Sequence, residues 1–335
     1  MPPIVVKLEK KINFPIAQKL LLCKNISIRI LSSESLRIEA KQQTFLFLLQ
    51  EEKGKKSMHK ILERRQYSEN VFYLRVEAPF IAKSRKAGQF VIVQLDEDLG
   101  ERIPLTIADA NDKEGWIALV VQIVGATTLQ MSRMKVGEAI PVLLGPLGLP
   151  SHIKQISHVV CVCGGIGVAP MYPIAQEFKR IGARLTVIIG ARNKSLIVFE
   201  EEMKEIADEL IITTDDGSYG RKALVTEPLK ELCESDVPPD EVFAIGPPIM
   251  MKFCAETTRP FGVSTVVSLN TLMVDGTGMC GCCRITVGGD VKFVCVDGPD
   301  FDAHKVDFDN MMSRMRSFKE NEAQAYHKCK SGFFG

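Results

Sequence analysis

Asp275-Gly-Thr-Gly-Met-Cys280-Gly-Cys-Cys283, with Cys295 after eleven intervening residues, constrains this chain more than any other feature. The spacing x4-x2-x11 over four potential metal ligands is that of a plant-type 2Fe-2S site, C-x4-C-x2-C plus a distant Cys, with Asp275 in the first position. Thiolate sulfur binds iron well, and a carboxylate oxygen is a harder but workable ligand for a ferric site. Gly276, Gly278 and Gly281 suit a loop that wraps a cluster, because glycine turns tightly and lets N–H groups face the sulfides. The ligand set read here is Asp275, Cys280, Cys283 and Cys295. Cys282 does not fit the spacing and is read as a spare small residue. A zinc site on Cys280, Cys283 and Cys295 plus one further ligand, or a group of buried or disulfide-bonded cysteines, are the competing readings.

The rest of the composition suits an ordinary globular protein. Apolar residues make up 46% of the 335-residue chain and charged residues 25%, enough for about two domains and an appendage. A net charge of +1 argues against nucleic acid or an anionic membrane as the main partner. No apolar run reaches the ~18 residues that span a bilayer. Of the ten cysteines, four fall within residues 280–295. Cys161 and Cys163 alternate in a Val-rich run and read as small hydrophobes. The chain is therefore expected in a reducing cytoplasm.

Five stretches are expected. Residues 1–57 carry eleven Lys/Arg against five acids and isolated Leu/Ile-rich scraps, with no signal-peptide layout. The run Glu51-Glu-Lys-Gly-Lys-Lys56 before Met58 would be encoded by purine-rich codons, as a translated ribosome-binding site would be. Residues 1–57 are therefore read as an atypical extension whose true start is Met58. Residues 58–150 hold short β-runs with Gly and Pro punctuation (71–76, 89–95, 105–108, 116–124) and predict a small antiparallel barrel. Residues 151–267 hold fully apolar strands (159–163, 185–189, 210–214, 242–245) alternating with helices, which predicts a parallel, doubly covered sheet. Residues 268–304 form the Gly/Cys-rich segment, and 305–335 read as a C-terminal helix and tail.

Gly164-Gly165-Ile-Gly167-Val-Ala-Pro170 follows a strand and opens a helix, the setting in which backbone N–H groups and a helix N-terminus hold a pyrophosphate. Gly246, Pro247 and Met250 follow a later apolar strand, at the carboxyl edge where such sheets place ligands. Asp215 and Asp216 close the intervening strand; acids there would repel a 2′-phosphate and accept ribose hydroxyls, favouring NAD over NADP. An Asx-rich turn is the alternative for that pair. In the barrel, Arg102 offers a guanidinium fork for a diphosphate, while Pro104, Leu105 and Thr106 give rigid, extended backbone for a flavin edge. Gly125, Thr127 and Thr128 form a second small-residue loop before a helix; taken singly they read as a helix N-cap.

Barrel first and nucleotide sheet second, this order resembles the ferredoxin reductase family of flavoproteins. That family binds FAD on an Arg-x-Pro/Tyr-x-Ser/Thr strand and a Gly-x-x-Ser/Thr loop, and pyridine nucleotide on a Gly-Gly-x-Gly-x-Ala-Pro loop. The cysteine segment narrows the resemblance to the branch with dihydroorotate dehydrogenase electron-transfer subunits, over Met58 to about Met315. The strings Glu101-Arg-Ile-Pro-Leu-Thr-Ile-Ala-Asp109, Gly145-Pro-Leu-Gly148, Val294-Cys-Val-Asp-Gly-Pro299 and Phe301-Asp-Ala-His304 carry it. Asp275 in place of Cys resembles the small subunits of NADH-dependent reduced ferredoxin:NADP oxidoreductases and the related sulfide dehydrogenase beta subunits. The resemblance implies FAD, NAD(H) and a 2Fe-2S cluster as cofactors, with no catalytic side chain. It also implies a larger partner subunit bearing FAD, 4Fe-4S clusters and an NADP(H) site. A dihydroorotate dehydrogenase electron-transfer subunit, and a non-enzymatic zinc- or redox-sensing module, are the alternatives.

Overall fold

The computed structural model describes residues 59–97 and 100–331, together with two short strands, β1 (Ile4–Val6) and β2 (Ile26–Ile28), that pair in parallel. Otherwise the expectations for residues 1–57 lie outside the described residues.

Alternating apolar positions in 59–147 build seven antiparallel strands: β3 (His59–Ser68), β4 (Val71–Glu77), β5 (Phe90–Gln94), β6 (Arg102–Asn111), β7 (Trp116–Gln122), β8 (Ala139–Ile140) and β9 (Val142–Leu147). They pair in the order β8-β3-β4-β7-β6-β5-β9. The two outermost strands are consecutive in the chain, separated only by Pro141, so the sheet curls until its edges meet. A proline at this junction removes no ladder hydrogen bond, because neither strand needs its N–H. The inward-facing residues Phe72, Leu74, Val91, Ile117, Leu119 and Ile140 are all sealed from solvent. Apolar burial of this kind stabilises by about 1.5–3 kcal/mol per large side chain.

Residues 158–268 form the expected parallel sheet. Strands β10 (His158–Gly164), β11 (Arg184–Ala191), β12 (Glu209–Thr214), β13 (Arg221–Lys222), β14 (Glu241–Ile245) and β15 (Ser264–Ser268) pair in the order β13-β12-β11-β10-β14-β15. The central strand shows why its run is apolar throughout. Val159, Cys161 and Cys163 face one core, Val160 and Val162 the other, each covered by helices. Helix Val168–Arg180 covers the first face with Met171, Ile174 and Phe178, and helix Pro248–Thr258 covers the second with Met251, Cys254 and Ala255. Burial raises the Cys161 thiol far above its ordinary range, so it behaves as a hydrophobe.

The cysteine segment adds two things beyond the expected plan. A hairpin, β16 (Arg284–Val287) with β17 (Asp290–Phe293), lies beside the loop. Then β18 (Asp300–Asp302) joins the parallel sheet antiparallel to β15, with Ser268 opposite Asp300. The single C-terminal helix of the sequence reading is two helices. Phe308–Met315, capped by Asp307 on the Asn310 N–H, buries Phe308 and Met311 in the second core. Lys319–Lys330 packs on helix Ala126–Arg133 of the barrel. The break follows from the two helices covering different layers.

Candidate functional site

The parallel sheet reverses direction of winding between β10 and β14, and their carboxyl ends open into a cleft of about 1240 Å³. Ligands of doubly wound sheets occupy this place, and the volume exceeds the ~300–1,000 Å³ of a single small-molecule site. Close backbone approach shapes its floor. A Cβ on Gly167 would lie 2.2 Å from the Ile245 carbonyl oxygen, and one on Gly246 would lie 2.9 Å from the Gly164 Cα. Only glycine lets these two loops meet, and this leaves the backbone of Gly164, Gly165 and Gly167 open to the cleft at the start of helix Val168–Arg180. Anionic phosphate is favoured there by free N–H groups and the helix dipole.

Of the residues singled out in the sequence, Pro104, Leu105, Thr106, Thr128, Gly164, Gly165, Gly167, Asp215, Gly246, Pro247 and Met250 line this cleft together. Four do not. Arg102 is exposed and its Nε donates to Gln94 Oε1 at 3.1 Å. Thr127 donates to Glu101 Oε2 at 2.6 Å. Gly125 precedes the helix, and its N–H donates to Thr128 Oγ1 at 3.0 Å, so the Thr128 hydroxyl acts as a cap. Asp216 turns away, accepting from the Ser218 N–H at 2.9 Å; the Ser218 hydrogen bonds hold its carboxyl below the ordinary range. For Asp216 the structure is the Asx turn. The cleft also holds residues the motif reading did not name: Arg192 beyond β11, and Ser268, Asn270, Met273 and Pro299 from the cysteine segment. Arg192 had a signal, since it follows the strand-ending Gly190-Ala191, one strand before Asp215.

In the cysteine loop, Gly276, Gly278 and Gly281 all have positive φ, at 75°, 83° and 67°, as a tightly wrapped loop requires. Asp275 folds into this loop: Oδ1 accepts the Thr277 N–H at 2.7 Å and Oδ2 the Cys280 N–H at 2.8 Å. Burial opposes ionisation of this carboxyl, but those two N–H bonds outweigh it and hold it below the ordinary range. Cys283 and Cys295 are buried with their sulfurs 3.2 Å apart. The hydrogen bond they share lowers the Cys283 thiol below its ordinary range and raises Cys295. Cys280 is exposed and Cys282 half-buried. Among the described residues no three such ligands are gathered at one point. The structure thus joins Asp275 to the Cys280 backbone within the loop, and Cys283 at the loop's end to Cys295 in the short helix Val294–Asp297 beyond the hairpin. A carboxylate and two thiols on a glycine-turned loop, with a third thiol beside it, suit iron–sulfur chemistry. His304 instead bonds Thr258 Oγ1 at 3.0 Å, under helix Pro248–Thr258.

Residues 161–256 match the oxidoreductase NAD-binding domain, and residues 270–307 match the iron-sulfur cluster binding domain of dihydroorotate dehydrogenase B. A dihydroorotate dehydrogenase B (NAD(+)) electron transfer subunit homolog from Thermotoga maritima is 44% identical over 275 residues, covering 82% of this chain and 96% of that protein. The chain belongs to the dihydroorotate dehydrogenase B electron-transfer-subunit family. Another member, from Fusobacterium nucleatum, is 30% identical over 255 residues, covering 74% of this chain and 96% of the relative. A chain from the NADH-dependent reduced ferredoxin-NADP oxidoreductase structure, described in terms of flavin-based electron bifurcation, is 43% identical. It superposes with a TM-score of 0.77 over 82% of this chain and 99% of its own. A ferredoxin NADP+ reductase from Neisseria gonorrhoeae shares the fold at 18% identity and a TM-score of 0.53, over 62% of this chain and 92% of its own. This family member is an NAD(H)-dependent oxidoreductase subunit of ferredoxin reductase-like fold, an electron-transfer chain with FAD, iron–sulfur and NAD(H) as cofactors. It works as a subunit beside a partner. No helix among the described residues is long and apolar enough to cross a membrane.

Proposed function

We propose that this chain is the NADH-side subunit of a two-subunit, electron-bifurcating flavoprotein, with a barrel at 58–150, a nucleotide sheet at 151–267, a cluster segment at 268–304 and a C-terminal tail at 305–335. The observation that carries the reading is that the Pro104–Thr106 strand, the two glycine loops and residues from the cysteine segment all line one cleft. FAD, when bound, would connect the two-electron chemistry of nicotinamide with the one-electron chemistry of iron–sulfur. Pro104, Leu105 and Thr106 would orient the flavin, with Arg102, Gly125, Thr127 and Thr128 on the adjoining surface toward its diphosphate. Gly164, Gly165 and Gly167 would hold the nucleotide pyrophosphate, Gly246, Pro247 and Met250 the opposite wall, and Asp215, with Asp216 beside it, would select an unphosphorylated ribose. Asp275, Cys280, Cys283 and Cys295 would hold a 2Fe-2S cluster. No side chain acts as nucleophile; the protein orients rings and excludes water.

The partner is read as a larger subunit with its own FAD, 4Fe-4S clusters and NADP(H) site, supported by the high similarity to the ferredoxin-NADP oxidoreductase chain and by Asp275 at the first ligand position. Free thiols throughout the described residues support a reducing cytoplasm. The second reading, electron transfer to a dihydroorotate dehydrogenase, is favoured by the names of several relatives. Co-purification from native cells decides: a partner carrying FAD and 4Fe-4S clusters supports the first reading, and an FMN-bearing dihydroorotate dehydrogenase replaces it with the second. A colourless protein, or one holding only zinc, overturns both.

A further inference from the structure

A hydride carries one proton that an iron–sulfur cluster cannot take. Oxidation of NADH yields NAD+, two electrons and one proton; the electrons pass on singly, so one proton per NADH must be shed between nicotinamide and cluster. The charged residues lining the cleft, Arg192, Asp215 and Glu256, are all exposed and belong to the nucleotide sheet.

Asp300 stands on the other side. It follows Pro299 and is the cross-strand partner of Ser268, and both of these line the cleft. Its Oδ2 accepts a hydrogen bond from Ser151 Oγ at 2.5 Å, while Oδ1, shut away from solvent, meets no donor. A carboxylate kept only for structure would have both oxygens satisfied. The groups facing it are two hydroxyls, Ser151 at the junction of barrel and sheet and Ser268 on β15, and no charged side chain shifts it. Burial pushes the carboxyl up to about 6, opposed by the two serine hydroxyls around it. The residue as a whole is half-buried, while its Oδ1 is enclosed.

We propose that Asp300 is the proton acceptor of the cleft, working through the Ser268 hydroxyl. This rests on the electron-transfer reading above. As the donor is oxidised its X–H bond breaks, and Ser268 Oγ takes that proton while passing its own to the carboxylate, so one O–H bond forms at Asp300; the two electrons go singly to two equivalents of a one-electron acceptor. The proton then leaves to solvent.

The test uses the chain loaded with FAD and cluster, and separates reduction by NADH from reoxidation by a one-electron dye. In Asp300→Asn, bleaching of the flavin by NADH is expected within about twofold of the parent, while reoxidation slows about 100-fold, a usual loss for a proton-transfer group. The parent's reoxidation is expected to slow below about pH 6, where Asp300 already holds a proton. That pH dependence should vanish in Asp300→Asn and return in Asp300→Glu, and Ser268→Ala should slow reoxidation as well. Infrared difference spectra of reoxidation, after reduction by dithionite, should show a protonated-carboxyl carbonyl stretch that Asp300→Asn lacks. Absence of that band in the parent overturns the proposal. So does Asp300→Asn with an unchanged pH profile, or with both half-reactions slowed equally. If NADH fails to bleach the parent's flavin, the electron-transfer reading fails instead, and the dithionite-based spectra still decide on Asp300.

Discussion

Asp275 gives both carboxylate oxygens to N–H groups of its own loop, so its charge and its place are fixed together. Asp275→Cys is expected to keep a 2Fe-2S cluster but lower its potential, since thiolate donates more charge to iron than carboxylate. Cys280→Ser or Cys295→Ser should lose or destabilise the cluster, and Cys282→Ala should leave it intact. EPR with redox titration checks all four; loss of the signal in Cys282→Ala but not in Asp275→Ala would reverse the ligand assignment. Asp300 gives a prediction on stability. Its folded-state value near 6 lies above the ordinary ~3.9, so protonation favours the folded chain. That contribution is complete below about pH 4 and lost as pH rises through 6. Asp300→Asn should therefore gain about 3 kcal/mol at pH 8 and almost nothing at pH 4. Urea melts at both pH values decide, and an equal change at each would assign the effect to packing. In the nucleotide site Asp215→Arg should weaken NADH and improve NADPH by about ten-fold, or ~1–2 kcal/mol. Arg192 already stands in the same cleft, so tighter binding of NADPH than NADH by the parent would show that its charge outweighs that of Asp215.

At the scale of elements, the glycine loops are the least replaceable part. Gly167→Ala would put a methyl carbon against the Ile245 carbonyl, forcing β14 and helix Val168–Arg180 apart. A loss of about 1–3 kcal/mol in stability is expected, with NADH affinity falling at least ten-fold; calorimetry measures both. Much of this level was legible beforehand. The apolar runs of β5, β10, β11 and β14 name their own strands because each is buried on its faces. β3 was not legible: its middle reads Glu63-Arg64-Arg65, and the two arginines lie over aromatic neighbours, Arg64 over Phe72 and Arg65 5.0 Å from the Tyr73 ring centroid. β18 was hidden too, since Asp300-Phe301-Asp302 is acidic and three residues long, poor strand material by composition. At the site, Gly-rich loops and cysteine spacing carry their chemistry locally. Arg102 and Thr127 stand beside the cleft and not in its lining, because their partners, Gln94 and Glu101, are chosen by the barrel and not by any motif.

For the whole molecule, the cluster loop is the candidate one-electron outlet. The isolated subunit should reduce artificial dyes with NADH yet transfer nothing to NADP. Met279 is 80% exposed on this loop, beside exposed Cys280. A partner docking within reach of the cluster should protect residues 268–310 in hydrogen exchange on the native complex; protection confined to residues 60–100 would move the docking site to the barrel. The way β18 enters the sheet has a further bearing. By adding a three-residue last strand beside β15, the iron–sulfur segment covers the longer β15 edge and leaves only a short one, which offers little unpaired backbone to other chains. Electron outlet and nucleotide domain are therefore sewn into one fabric rather than strung as beads. A designer could not lift the cluster unit out for use elsewhere, or trim it away to leave a plain reductase, without tearing open the sheet it hems.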